Sequence, residues 1–143
     1  QGMTSKWMGT FWTMDSSTVM KMGPDGDGFM GVMPYRYYYD TSAKAPMLDK
    51  IRALRPEYQS TAYIQGFLAA MLFVESARRC LDAGKPLTGP NLKAALNSIK
   101  DFDTGGLIGV PITIKGNSIP VGRVYKADMK AQKMLPASDW IAL

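Results

Sequence analysis

The sequence predicts an α/β protein, and three observations carry that prediction. A continuous apolar run, Phe29-Met30-Gly31-Val32-Met33, follows dense turn chemistry at Gly23-Pro24-Asp25-Gly26-Asp27-Gly28, as in a strand of a parallel sheet covered on both faces. Three- and four-residue apolar spacing then recurs in three segments between Ser42 and Ile99. After Asp103-Thr104-Gly105-Gly106 the pattern changes to strand-like alternation.

Taken in order, Lys6 to Trp12 is short and aromatic and reads as a strand ending in a loop, with Asp15-Ser16-Ser17-Thr18 supplying a capped helical turn. The Asp25–Gly28 segment lacks the further oxygen ligands and the glutamate that a calcium loop of EF-hand spacing requires. Tyr35-Arg36-Tyr37-Tyr38-Tyr39-Asp40 could stack a base or a ligand, but tyrosine also suits half-buried extended chain, and that reading is preferred. Ser42 is placed to cap a helix carrying Met47, Ile51 and Leu54 on one face before Pro56 ends it. A long helix follows, with Ile64, Phe67, Leu68, Met71, Leu72 and Leu81 on its buried face and Gly84 as its stop. Thr88 can cap a third helix starting near Pro90, whose Leu92, Leu96 and Ile99 share a face. Ile112 and Ile114, then Val121 to Ala127, then Gln132 to Leu135 read as strands, with Lys115-Gly116-Asn117-Ser118 as a turn.

Composition narrows the chemistry. The 143 residues contain no histidine and one cysteine, so imidazole catalysis, His-ligated metal sites and internal disulfides are excluded for this chain. Cys80 falls within the long helix and reads as a buried structural thiol. Neither a Gly-x-Ser-x-Gly elbow nor a Gly-x-x-x-x-Gly-Lys segment is present, so a small hydrolase using Ser16, Ser17, Ser42 or Ser60 is the least favoured function. The formal charge of +5 is spread from Lys6 to Lys133 without a basic block, which argues against nucleic acid as a partner. The longest uninterrupted apolar stretch, Gly66 to Val74, has nine residues and is too short to span a bilayer. No cofactor and no metal are expected. The chain begins at Gln1 without a basic-then-apolar leader, so a targeting signal is expected to have been removed or to lie outside these residues.

Several phrases, in order, resemble the C-terminal part of an amino-acid-type substrate-binding protein of ABC transporters, the family typified by the periplasmic leucine/isoleucine/valine receptor. They are Met8-Gly9-Thr10-Phe11, Gly28-Phe29-Met30-Gly31-Val32-Met33-Pro34, the helix starting near Tyr58 with Ala62-Tyr63, Leu87-Thr88 with Leu92 and Ala95-Leu96, Phe102-Asp103-Thr104-Gly105-Gly106-Leu107-Ile108-Gly109, and Asp139-Trp140. The resemblance implies a type I periplasmic-binding-protein fold, in part: two Rossmann-like α/β lobes joined by crossing segments, with a ligand held between strand ends. On this basis residues 1–37 belong to the second lobe, 38–108 to the first lobe with its three helices, and 109–143 return to the second lobe as a β-rich tail. The chain would then be a fragment of a two-lobe receptor. It would associate with the missing N-terminal half or with a second copy, because the first-lobe helices lack sheet partners.

The resemblance further implies a periplasmic or extracellular solute-binding component that performs no chemistry and docks to a membrane permease. A ligand-sensing domain of a receptor or regulator is the alternative, and it would carry an output domain. The family's second-lobe pocket position falls at the end of the strand Trp7 to Phe11, where amino-acid receptors place an acidic side chain against the ligand's ammonium. Here that position is Phe11, preceded by Thr10 and followed by Trp12. Losing a charged hydrogen bond of about 1.5–3 kcal/mol costs an amino-acid ligand roughly ten- to a hundred-fold in affinity, whereas an aromatic pair offers stacking. The expected ligand is therefore an aromatic or aliphatic carboxylate. An amino acid is the alternative if Asp15, four residues along, reaches back to an ammonium. Phe11 and Trp12 could also simply pack the lobe.

Overall fold

A computed structural model describes residues 5–142; residues 1–4 and 143, the outer ends of the expected 1–37 and 109–143 segments, lie outside the described residues. Strand β1 (Met8–Gly9) is much shorter than the expected Lys6–Trp12 strand and gives way to a 3-10 turn, Phe11–Thr13. Helix α1 (Ser16–Val19) follows, and its N-cap Asp15 accepts from the Ser17 amide as expected of an Asp-Ser-Ser sequence. A 3-10 stretch over Met20–Gly26 then leads into β2 (Met30–Met33). Helices α2 (Pro46–Leu54), α3 (Thr61–Asp82) and α4 (Gly89–Asn97) come next, followed by β3 (Val121–Asp128), β4 (Lys133–Pro136) and β5 (Ile141–Ala142).

The sheet runs β1-β2-β3-β4, with β5 paired to the beginning of β3. Only β1 and β2 are parallel, with Gly9 opposite Gly31; β2 with β3, and β3 with both β4 and β5, are antiparallel. The sheet is therefore mixed, which corrects the expectation of a parallel sheet. The tight turn at residues 129–132 forces β3 and β4 to run antiparallel. Nor is β2 covered on both faces: Gly31 and Met33 are buried while Val32 is 46% exposed. An unbroken apolar run cannot reveal which of its faces is covered.

The helices match the expected order, with corrections at their edges. Helix α2 starts at Pro46, not Ser42; the Ser42 amide instead donates to the Asp40 carboxylate, and proline is well suited to a first helical position. Leu48 and Ile51 are buried, whereas Leu54, in the last turn, is exposed. On α3, Ile64, Leu68, Ser76 and Cys80 form the buried line, and Phe67, Met71 and Leu72 flank it. Leu81 lies off that line and is 60% exposed, contrary to expectation, while Cys80 is buried as expected. Helix α4 packs on α3, and Arg79 of α3 donates to the Ser98 carbonyl at 3.0 Å just beyond α4. Thr88 occupies the N-cap position of α4 without a side-chain cap bond. The expected strand around Ile112–Ile114 reduces to one bridge, Phe102 to Ile112, although both isoleucines are buried.

One apolar cluster runs from Met14, Val19 and Met33 through Tyr37 and Tyr125 to Leu48, Ile64 and Leu107. Between β2 and α2, residues 34–40 run beside residues 104–107. The Arg36 amide donates to the Leu107 carbonyl at 2.7 Å, and its Nε donates to the Gly106 carbonyl at 2.8 Å. The tyrosine cluster lies in this irregular segment. Tyr35, Tyr37 and Tyr38 are buried, with the Tyr37 hydroxyl on the Met14 carbonyl and the Tyr38 hydroxyl on the Arg55 carbonyl. Among the described residues, no helix is long and apolar enough to cross a membrane.

Candidate functional site

The turn that follows β1 is seated by close packing. A side chain at Gly31 would collide with Met14, so glycine in β2 is what lets Met14 lie fully buried against that strand. That anchors the 3-10 turn, in which the Thr10 carbonyl accepts from both the amide (3.0 Å) and the hydroxyl (2.8 Å) of Thr13. Phe11 is partly buried against the core, and its ring centre lies 4.5 Å from that of Trp12 at a tilt of 34°. Trp12 is 72% exposed and Thr10 is exposed. The expected site residues Thr10, Phe11 and Trp12 therefore share one turn at the end of β1, with an aromatic pair at its surface. An exposed tryptophan held beside a second ring is a surface for stacking a flat or apolar group.

Asp15 stands one residue past Met14 and serves two elements at once. One oxygen, Oδ1, accepts from the Ser17 amide (2.9 Å), the Ser17 hydroxyl (2.6 Å) and the Tyr58 hydroxyl (3.3 Å). The other, Oδ2, accepts from the Thr61 amide (2.9 Å) and hydroxyl (3.3 Å) at the start of α3. Burial pushes the Asp15 carboxyl up, but the hydrogen bonds from Ser17, Thr61 and Tyr58 outweigh it and hold the group below the ordinary carboxylate range. Close by, the buried Tyr35 hydroxyl makes no hydrogen bond of good geometry among the described residues. Burial pushes its phenol upward, the Thr61 hydroxyl acts in the opposite sense, and the Asp15 charge adds to the rise.

Tyr58, Thr61, Ser17 and Tyr35 thus join the expected residues. Sequence reading missed them because Tyr58 and Thr61 lie 43 and 46 residues from Asp15. The only local hint was a carboxylate followed by two serines, which accounts for the Ser17 bonds but not for the bonds from α3.

A second polar centre lies in the segment between β2 and α2. The Asp40 carboxylate is fully buried and accepts from Arg36 (3.3 Å), Arg123 (3.5 Å), the Tyr125 hydroxyl and the Ser42 amide (2.8 Å). Burial again pushes this carboxyl up, and the bonds from Ser42 and Tyr125 together with the Arg36 charge hold it below the ordinary range. A cavity of about 530 Å³ opens beside this centre, walled by Ser16, Tyr37, Tyr39, Asp40, Arg52 and Met134 among others. None of Thr10, Phe11, Trp12 or Asp15 lines it, and its carboxylate is already saturated by donors. The strand-end turn, where the exposed Trp12 ring lies beside the partly buried Phe11 and Asp15 follows to meet the start of α3, is the better-founded candidate for recognition. Among the described residues, no group of three or more acidic or thiol side chains comes together as a metal site.

A family model described as periplasmic binding protein matches residues 1–133. The chain belongs to the periplasmic binding protein family. Solved structures of similar fold agree with this membership. A branched-chain amino acid ABC transporter protein of Thermus thermophilus with bound valine superposes at a TM-score of 0.75 and 18% identity, over 99% of this chain and 40% of its own. A substrate-binding protein of an ABC transporter of Aeropyrum pernix gives 0.72 and 17%, over 99% and 39%. A protein of the Pseudomonas fluorescens group described as an ABC transporter permease gives 0.73 and 19%, over 94% and 36%. This periplasmic binding protein chain spans about two fifths of the length of those structures. Its fold is the type I periplasmic-binding-protein α/β fold, in part, as the sequence predicts. No curated protein matches the sequence.

Proposed function

We propose that these residues are the C-terminal part of a two-lobed receptor that delivers a small solute to the membrane permease of an ABC transporter, outside the cytoplasmic membrane and without altering the solute. In this reading 1–37 and 109–143 form part of one lobe, 38–108 carry the helices of the other, and the segments at 34–40 and 104–110 are crossings between them. Family membership supports the solute-binding role, and the Arg36 bonds to Gly106 and Leu107 support paired crossings.

The ligand would lie against the turn Thr10–Trp12. The observation that carries this is the exposed Trp12 ring held beside the partly buried Phe11 at the end of β1, Phe11 standing at the position where the resembled amino-acid receptors hold an acidic group. An uncharged stacking surface favours an aromatic or aliphatic carboxylate over an amino acid. Mass spectrometry of the solute released from the full-length receptor tests the reading. A carboxylate without an amino group is the expected species, and nanomolar binding of leucine with no binding of aromatic acids would sink it. Turnover abolished by a single serine substitution would return catalysis to consideration.

A further inference from the structure

We infer that Asp15 is a latch between the strand-end turn and helix α3, setting how readily the two lobes close, and that it is not a receptor for a ligand's ammonium group. The inference rests on the two-lobe reading above.

Helix α3 is 22 residues long, and its own N-cap residue, Ser60, makes no side-chain cap bond. Unmet amide donors and the positive end of the helix dipole gather at such a terminus. The acceptor comes from elsewhere in the chain: Asp15 Oδ2 takes both the amide and the hydroxyl of Thr61, and Oδ1 takes the Tyr58 hydroxyl. The same carboxylate caps α1 through Ser17. It therefore joins residues that the two-lobe reading assigns to opposite lobes.

A carboxylate offers about four lone-pair sites, and five donors already converge on this one. An incoming ammonium would have to displace a donor to bind, so it gains little. When the lobes separate, α3 loses its cap and Asp15 loses three of its five donors, those of Tyr58 and Thr61. Any ligand that requires the closed form then feels the latch, whether or not it carries an amino group.

The test measures the full-length receptor and its Asp15→Ala and Asp15→Asn variants by calorimetry. The ligands are matched pairs: leucine with 4-methylpentanoate, and phenylalanine with 3-phenylpropanoate. Fluorescent labels on the two lobes report closure in the same samples. The expected result is that Asp15→Ala weakens both members of each pair by the same factor, about five- to tenfold, and shifts the label distance toward the open form. Asp15→Asn, which keeps one acceptor oxygen, should recover part of both effects. A loss confined to the amino acids would overturn the latch and make Asp15 an ammonium ligand. Should the wild type bind neither member of either pair, the ligand reading fails, and hydrogen exchange decides the latch separately. Protection of the Thr61 amide that disappears in Asp15→Ala supports it, and unchanged protection overturns it.

Discussion

The guanidinium of Arg36 lies 5.7 Å from the centre of the Trp140 ring, and Arg123 faces the same ring at 5.9 Å. One indole near the end of the chain is thus shared by two cations that also converge on Asp40. The arrangement depends on Gly109, because a Cβ there would collide with the Trp140 indole. Gly109→Val should displace Trp140 and destabilise the protein by about 1–3 kcal/mol, the usual cost of overpacking. Denaturant titration gives the stability change, and the tryptophan emission of the folded state should shift with it.

The Asp40 centre should be far less tolerant. Asp40→Ala leaves two arginines and a tyrosine hydroxyl facing a vacated buried position, and breaking a buried pair this way costs about 3–5 kcal/mol. Calorimetric or chemical unfolding of the variant checks this.

Acid should act through the same group. Asp40 and Asp15 are both held below their ordinary pKa of 3.8, so their contribution is fully present above that value and is lost as the pH falls through their lowered folded-state pKa values. Stability measured from pH 6 downward should fall on the acid side of about pH 4. Asp40→Asn should flatten that acid limb relative to the wild type.

The element order was legible because local chemistry wrote it. Apolar spacing on α3, the cap at Asp15 and the turn at Lys115–Ser118 each act within a few residues. What escaped sequence reading depends on partners far along the chain. Ser42 looks like a helix cap until Asp40, Arg36 and Arg123 are seen to claim it. The direction of the sheet was not legible at residues 29–33, because an apolar run reports hydrophobicity alone and neither strand polarity nor which face is covered. At the candidate site, the turn Thr10–Trp12 could be located from sequence, but the convergence of Tyr58 and Thr61 on Asp15 could not, since nothing local in α3 announces a borrowed cap.

Helix α3 also presents Phe73 and Val74 at 62% and 63% exposure, with Leu81 on the same outer side. Covering such side chains contributes about 1.5–3 kcal/mol each, so the 143-residue chain on its own should self-associate. Light scattering at high concentration should show a dimer or larger species, and Phe73→Glu combined with Leu81→Lys should lower the mass. A wild-type monomer of 15.7 kDa under those conditions would contradict the expectation.

Phe11 offers the most direct test of ligand selection. Its ring is partly buried and supports Trp12, while the expected pocket lacks a free carboxylate because Asp15 is occupied by Ser17, Tyr58 and Thr61. Phe11→Glu in the full-length receptor should therefore supply the acidic group that an ammonium needs and remove the stacking partner that an apolar acid uses. A charged hydrogen bond of about 1.5–3 kcal/mol predicts a ten- to hundredfold gain for leucine relative to 4-methylpentanoate. Phe11→Leu, which removes the ring without adding charge, should weaken an aromatic acid by about two- to tenfold and leave that ratio unchanged. If Phe11→Glu alters neither affinity while the protein remains folded, the turn after β1 does not touch the ligand, and Phe11 and Trp12 serve only to pack the sheet edge.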